Sequence, residues 1–112
     1  MDSIRKLIVK TLHYAMQAGK DLTEQDIMER YNEYVERYGI ENANIALQNT
    51  LADFKKLAKR EEQRLFCLVK AECLRKFGVA PANRRTFWAE IRENPLRFDT
   101  PAAREYREKF AR

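Results

Sequence analysis

Glycine and proline are scarce in this 112-residue sequence, at three of each. So few punctuators leave few places for turns, which disfavours a sandwich or barrel of many short strands and favours long helices. Histidine occurs once, at His13. A single imidazole removes most acid–base and metal schemes, and three glycines cannot build a phosphate-cradling loop. No GxGxxG, P-loop, HExxH or GxSxG pattern occurs. No apolar run approaches the ~18 residues that read as a membrane span; the longest block is LFCLV, from Leu65 to Val69. Cys67 and Cys73 lie six residues apart on a predicted helix, about 240° around its axis. They cannot bridge each other there, and they lack CxxC spacing. Free thiols in a reducing, cytoplasmic setting are the expectation. These absences predict no enzyme: no catalytic residue, no metal ligand, no cofactor and no membrane partner.

What remains is helix-forming and charged. The sequence is 45% apolar and 35% charged, with a formal net charge of +5. Its length suits one domain, residues 1–112, with a modest core. The stretch from Asn42 to Phe77 contains neither glycine nor proline, and Gly78 follows as a stop. It predicts one helix over 43–77, roughly 50 Å long at 1.5 Å per residue, with Asn42 as its N-cap. Leu47, Leu51, Phe54 and Ala58 form a heptad-like seam. Lys59 to Arg64 is charged all round, yet every residue there is a good helix former, so no break is expected. From Leu65 to Phe77 apolar residues lie nearly all round, which predicts burial by more than one neighbour.

The other helices fall on either side of this one. The opening MDSIRKLIVKTLHYAM is basic and amphipathic, a loose echo of a mitochondrial presequence, but lacks an uninterrupted apolar core and a small-residue cleavage site. It reads as an ordinary helix over 4–18, capped by Asp2 or Ser3, with Ile4, Leu7, Ile8, Leu12 and Ala15 as its inner stripe. A helix over 24–38 follows Thr23, with Asp26 placed for a capping box. Its predicted buried stripe is Ile27, Tyr31, Tyr34, Val35 and Tyr38. Its acids, Asp26, Glu29, Glu33 and Glu36, read as a solvated face. Asn83 caps a helix over 84–93, with Phe87, Trp88 and Ile91 inward and Trp88 expected to be largely buried against Leu68, Leu74 or Phe77. Leu96 and Phe98 occupy a linker able to tuck into the core. Thr100-Pro101 opens a last helix over 101–111, with Ala103, Tyr106 and Phe110 inward. The fold class is therefore all-α: about five helices in a small bundle organised around the long third one.

Charge is the one functional signal. Residues 1–54 carry a net −3 and residues 55–112 a net +8. Such asymmetry points the second half at a polyanion. Lys55, Lys56, Lys59, Arg60 and Arg64 cover about half the circumference of the long helix. Arg84 and Arg85 stand at a helix N-terminus, where amide donors and the helix dipole favour phosphate. Arg97 and Arg104 follow, then Arg107, Lys109 and Arg112. The pattern predicts phosphate-backbone contacts with DNA or RNA and no base readout, as in a subunit of a ribonucleoprotein assembly. A helix-turn-helix built from the second and third helices would set the acids of 24–38 against DNA. The alternative is a protein–protein adaptor or inhibitor, of the kind encoded by viruses and mobile elements, that docks on a larger assembly.

Overall fold

The computed structural model describes the backbone of residues 2–111 and the side chains of residues 3–111. The fold is all-α: α1 (Asp2–Gln17), α2 (Glu24–Tyr38), α3 (Ile40–Phe77), α4 (Arg84–Glu93) and α5 (Pro101–Phe110). The capping role expected of Asp2 lies outside the described side chains. Ser3 sits within α1 and is no cap. No helix among the described residues is long and apolar enough to cross a membrane. The long helix is uninterrupted through Lys59 to Arg64, as the lack of any breaker requires. The chain divides into two compact units, Met1–Glu61 and Glu62–Arg112, with the boundary inside α3.

In the first unit, Ile8 of α1, Ile27 of α2 and Leu47 of α3 meet in a small buried cluster. Ile4, Leu7, Leu12, Met28 and Tyr31 pack around it. Thr11 is buried among them because its hydroxyl donates to the Leu7 carbonyl at 2.7 Å, leaving no polar group unsatisfied. Thr23 caps α2 with a complete capping box. The Thr23 amide donates to the Asp26 carboxylate at 2.9 Å, and the Asp26 amide donates back to the Thr23 hydroxyl at 3.1 Å. These bonds hold the Asp26 carboxyl below its ordinary range.

The join between α2 and α3 differs from the expected four-residue turn. Gly39 alone makes it, at φ 88° and ψ 162°, a conformation that only glycine adopts without strain. Its amide donates to the Val35 carbonyl to close α2, and its carbonyl accepts from the Ala43 amide to open α3. Asn42 therefore lies inside α3 and is not its cap. Its carboxamide instead donates to the Tyr38 carbonyl at 2.8 Å, satisfying an orphan acceptor at the end of α2. The tyrosine stripe is also only half right. Tyr31 is partly buried, with its hydroxyl donating to the Asn44 side chain at 2.6 Å. Tyr34 and Tyr38 are exposed and pack on each other.

In the second unit, Leu65, Phe66, Val69 and Cys73 of α3 are buried with Phe87 and Ile91 of α4 and Ala102, Ala103, Tyr106 and Phe110 of α5. Phe98 joins them from the linker, reaching inward at φ 58°. Leu96, expected to tuck in with it, stands 76% exposed. Two helices of ten residues each pack on α3 here, so Leu65–Phe77 has more than one neighbour, as expected, yet part of its apolar surface stays uncovered. Leu68, Leu74 and Phe77 are exposed. Trp88, expected largely buried against those residues, is partly buried and packs instead against Phe87 and Tyr106. Cys67 is exposed, Cys73 is buried, and the two are unlinked. Burial pushes the Cys73 thiol above its ordinary value.

Candidate phosphate-binding surface

Asn83 is the N-cap of α4. Its carboxamide oxygen accepts from the Thr86 amide at 2.8 Å and from the Thr86 hydroxyl at 3.0 Å. The first-turn amides of Arg84 and Arg85 thus lie at the positive end of the helix dipole, outside the cap's own bonds. Beside them the surface forms a concavity of about 660 Å³ lined by Arg84, Arg85, Trp88, Ala89, Arg92 and Glu62. Arg85, Trp88, Ala89 and Arg92 recur at i, i+3, i+4 and i+7, so one face of α4 carries both cations and the indole.

Glu62 is the one acid lining this concavity, and two partners compensate its charge. Arg84 approaches its carboxylate at 3.0 Å, with the Glu62 side chain only 12% exposed. The buried Tyr106 hydroxyl donates to its other oxygen at 2.7 Å. Burial foremost, and then this carboxylate, push the Tyr106 hydroxyl far above its ordinary value. The chain Tyr106–Glu62–Arg84 therefore fixes one arginine at the rim and leaves Arg85 and Arg92 exposed beside it.

Among the other predicted cations, Lys55, Lys56, Lys59 and Arg60 are exposed on the part of α3 that belongs to the first unit. The Lys55 ammonium stands 5.5 Å from the centre of the Tyr14 ring. Arg64 is exposed in the second unit. Arg97 lies over the Phe98 ring at 4.6 Å and within 3.9 Å of the Glu90 carboxylate. Arg104 grips both oxygens of Asp99, at 2.8 and 3.4 Å, which holds the Asp99 carboxyl below its ordinary range. Both arginines thus already face acids, whereas Arg85 and Arg92 line the concavity. Arg92 was missed from sequence, although its spacing from Arg85 was there to read. Among the described residues no group of His, Cys, Asp and Glu could hold a metal ion.

No protein family, curated protein sequence or solved structure matches this chain.

Proposed function

We propose that the protein is a non-enzymatic nucleic-acid-binding protein whose second unit holds the phosphate backbone of a single strand at the α4 concavity. The observation that carries this reading is the grouping of Arg84, Arg85 and Arg92 with the partly buried Trp88 around one recess. Cations that track phosphates beside an aromatic face on which a base stacks are the two parts of sequence-tolerant single-strand binding. The net +8 of residues 55–112 supplies the long-range attraction. The cations of α3 in the first unit are a separate set, available to the same polyanion.

A salt titration tests this. Binding to a fluorescent single-stranded oligonucleotide should weaken steeply as salt rises, because each phosphate contact releases condensed counterions. Arg85→Gln and Arg92→Gln should each lower the slope of log affinity against log salt by about 0.7. The same change at Arg97 and Arg104 should lower it less, since Glu90 and Asp99 already engage those side chains. Equal losses from both pairs would place the contacts elsewhere, and a flat slope for the unaltered protein would remove the phosphate reading altogether.

A further inference from the structure

The outer face of α1 is cationic, although residues 1–54 carry a net −3. A shallow groove of about 620 Å³ along it is lined by Arg5, Lys6, Val9, Lys10, His13 and Tyr14, with no acid among them. All but Tyr14 are exposed. From Arg5 to Tyr14 the face runs roughly 14 Å, about two and a half helical turns. Lys55 of α3 joins it, its ammonium 5.5 Å from the centre of the Tyr14 ring. The acids of this unit gather elsewhere: Glu24, Asp26, Glu29, Glu33 and Glu36 all belong to α2.

This arrangement works against the stability of α1. Lys6 and Lys10 stand at i and i+4, a spacing at which like charges repel. Arg5 and Lys6 sit at the first turn, where the helix dipole disfavours cations, and the last turn, which favours them, holds no base. In the second unit, by contrast, Arg84, Arg97 and Arg104 each meet a carboxylate. A row of cations set against local stability is accounted for by an anion from outside the chain. The apolar residues of α1 decide which anion. Ile8 and Ala15 are buried, and Ile4, Leu7 and Leu12 pack around the core of the first unit. Val9 and Met16 are the exposed large apolar residues of α1, about two turns apart. They are too sparse to insert into a bilayer or to form the apolar centre of a protein interface. What the face offers is a row of charge open to a long polyanion, the chemistry of a phosphate backbone. We propose that the α1 face is a second contact surface for nucleic acid, in which Arg5, Lys6 and Lys10 hold backbone phosphates and Lys55 adds a fourth cation. The proposal rests on the reading of the protein as one that binds nucleic acid, but on none of the residues of the α4 concavity.

Two triple variants of the intact protein, titrated with a fluorescent single-stranded oligonucleotide at several salt concentrations, test it. Arg5→Gln, Lys6→Gln and Lys10→Gln together should lower the slope of log affinity against log salt by about 2, or about 0.7 for each lost contact. Lys20→Gln, Arg30→Gln and Arg37→Gln remove the same charge from the same unit and should lower it much less. The thermal midpoint of the α1 variant should not fall, since a repulsion has been relieved. Equal losses from the two triples would overturn the proposal, because net charge alone would then explain them. So would a lower thermal midpoint for the α1 variant, which would give these cations a role in the fold. An α1 variant that keeps its oligonucleotide affinity but no longer binds phosphatidylserine vesicles would make a membrane the partner and overturn it too. Arg85→Gln with Arg92→Gln separates the two surfaces. A loss from the α1 triple with none from that pair would uphold this proposal and remove the α4 site, and a loss from the pair alone would do the reverse. No binding by the unaltered protein would remove both.

Discussion

Phe87→Ala should lower the stability of the second unit by about 3–5 kcal/mol, the range for emptying a fully enclosed phenylalanine site. The Phe87 side chain is inaccessible to solvent and is the hub of the aromatic core. Its ring centre lies 6.0 Å from that of Phe66, 5.5 Å from Tyr106, 6.3 Å from Phe98 and 5.4 Å from Trp88. Removing it withdraws an edge-to-face partner from Phe66, Tyr106 and Trp88 at once. Domains are stable by only about 0.05–0.15 kcal/mol per residue, so a loss of this size is comparable to the whole stability of residues 62–112. Trp88→Ala should cost less, about 1 kcal/mol, because that ring is only partly buried at the edge of the core. Urea unfolding followed by far-ultraviolet circular dichroism ranks the two variants. A larger loss from Trp88→Ala would mean that the packing assigned to these rings is reversed.

Tyr106→Phe should carry the second large effect, and its signature is pH dependence. The Tyr106 hydroxyl is buried and donates to Glu62. Its folded-state pKa lies above the ordinary 10.0 because burial, and then the neighbouring carboxylate, disfavour the phenolate. Unfolded protein therefore releases this proton at a lower pH than folded protein does. The stabilisation is complete below about pH 10 and is lost as pH rises beyond it. As pH rises above about 10, the unaltered protein should lose stability more steeply than Tyr106→Phe does. At neutral pH the variant should be weaker by roughly 1.5–3 kcal/mol, since Glu62 loses one of its two partners while still largely buried. Parallel stability curves for the two proteins across that range would show that Tyr106 stays accessible to deprotonation in the folded state.

The elements that sequence reveals best are those set by neighbours along the chain. Thr23, Asn83 and Thr100 are the caps that their side chains suggested, because a capping bond reaches only two or three residues. The continuity of α3 through its charged middle follows from local propensity in the same way. Asn42 misled because a good capping residue competes with a glycine three residues earlier, and Gly39 can close one helix and open the next in a single step. Burial was harder to read than helicity. Periodicity identifies the apolar positions between Leu65 and Phe77, but the number of neighbours available to cover them depends on how far α4 and α5 reach. Phe87 and Trp88 are adjacent in sequence, and about 100° of helical rotation separates the buried ring from the one at the rim. The predicted cations were legible as a group, but their acidic partners were not. That Arg104 faces Asp99 while Arg85 and Arg92 face the concavity follows from tertiary packing.

Trp88 is the single tryptophan in the chain, so its fluorescence reports on the proposed site alone. The most direct measurement is a titration of the protein with oligothymidylate at low salt, following Trp88 emission. Stacking of a base on the part of the indole that lines the concavity should quench that emission saturably. Added salt should restore it, and Arg85→Gln with Arg92→Gln should shift the titration to higher oligonucleotide concentration. An emission spectrum unchanged at saturating oligonucleotide, or quenching that salt does not reverse, would contradict a phosphate-held strand beside Trp88.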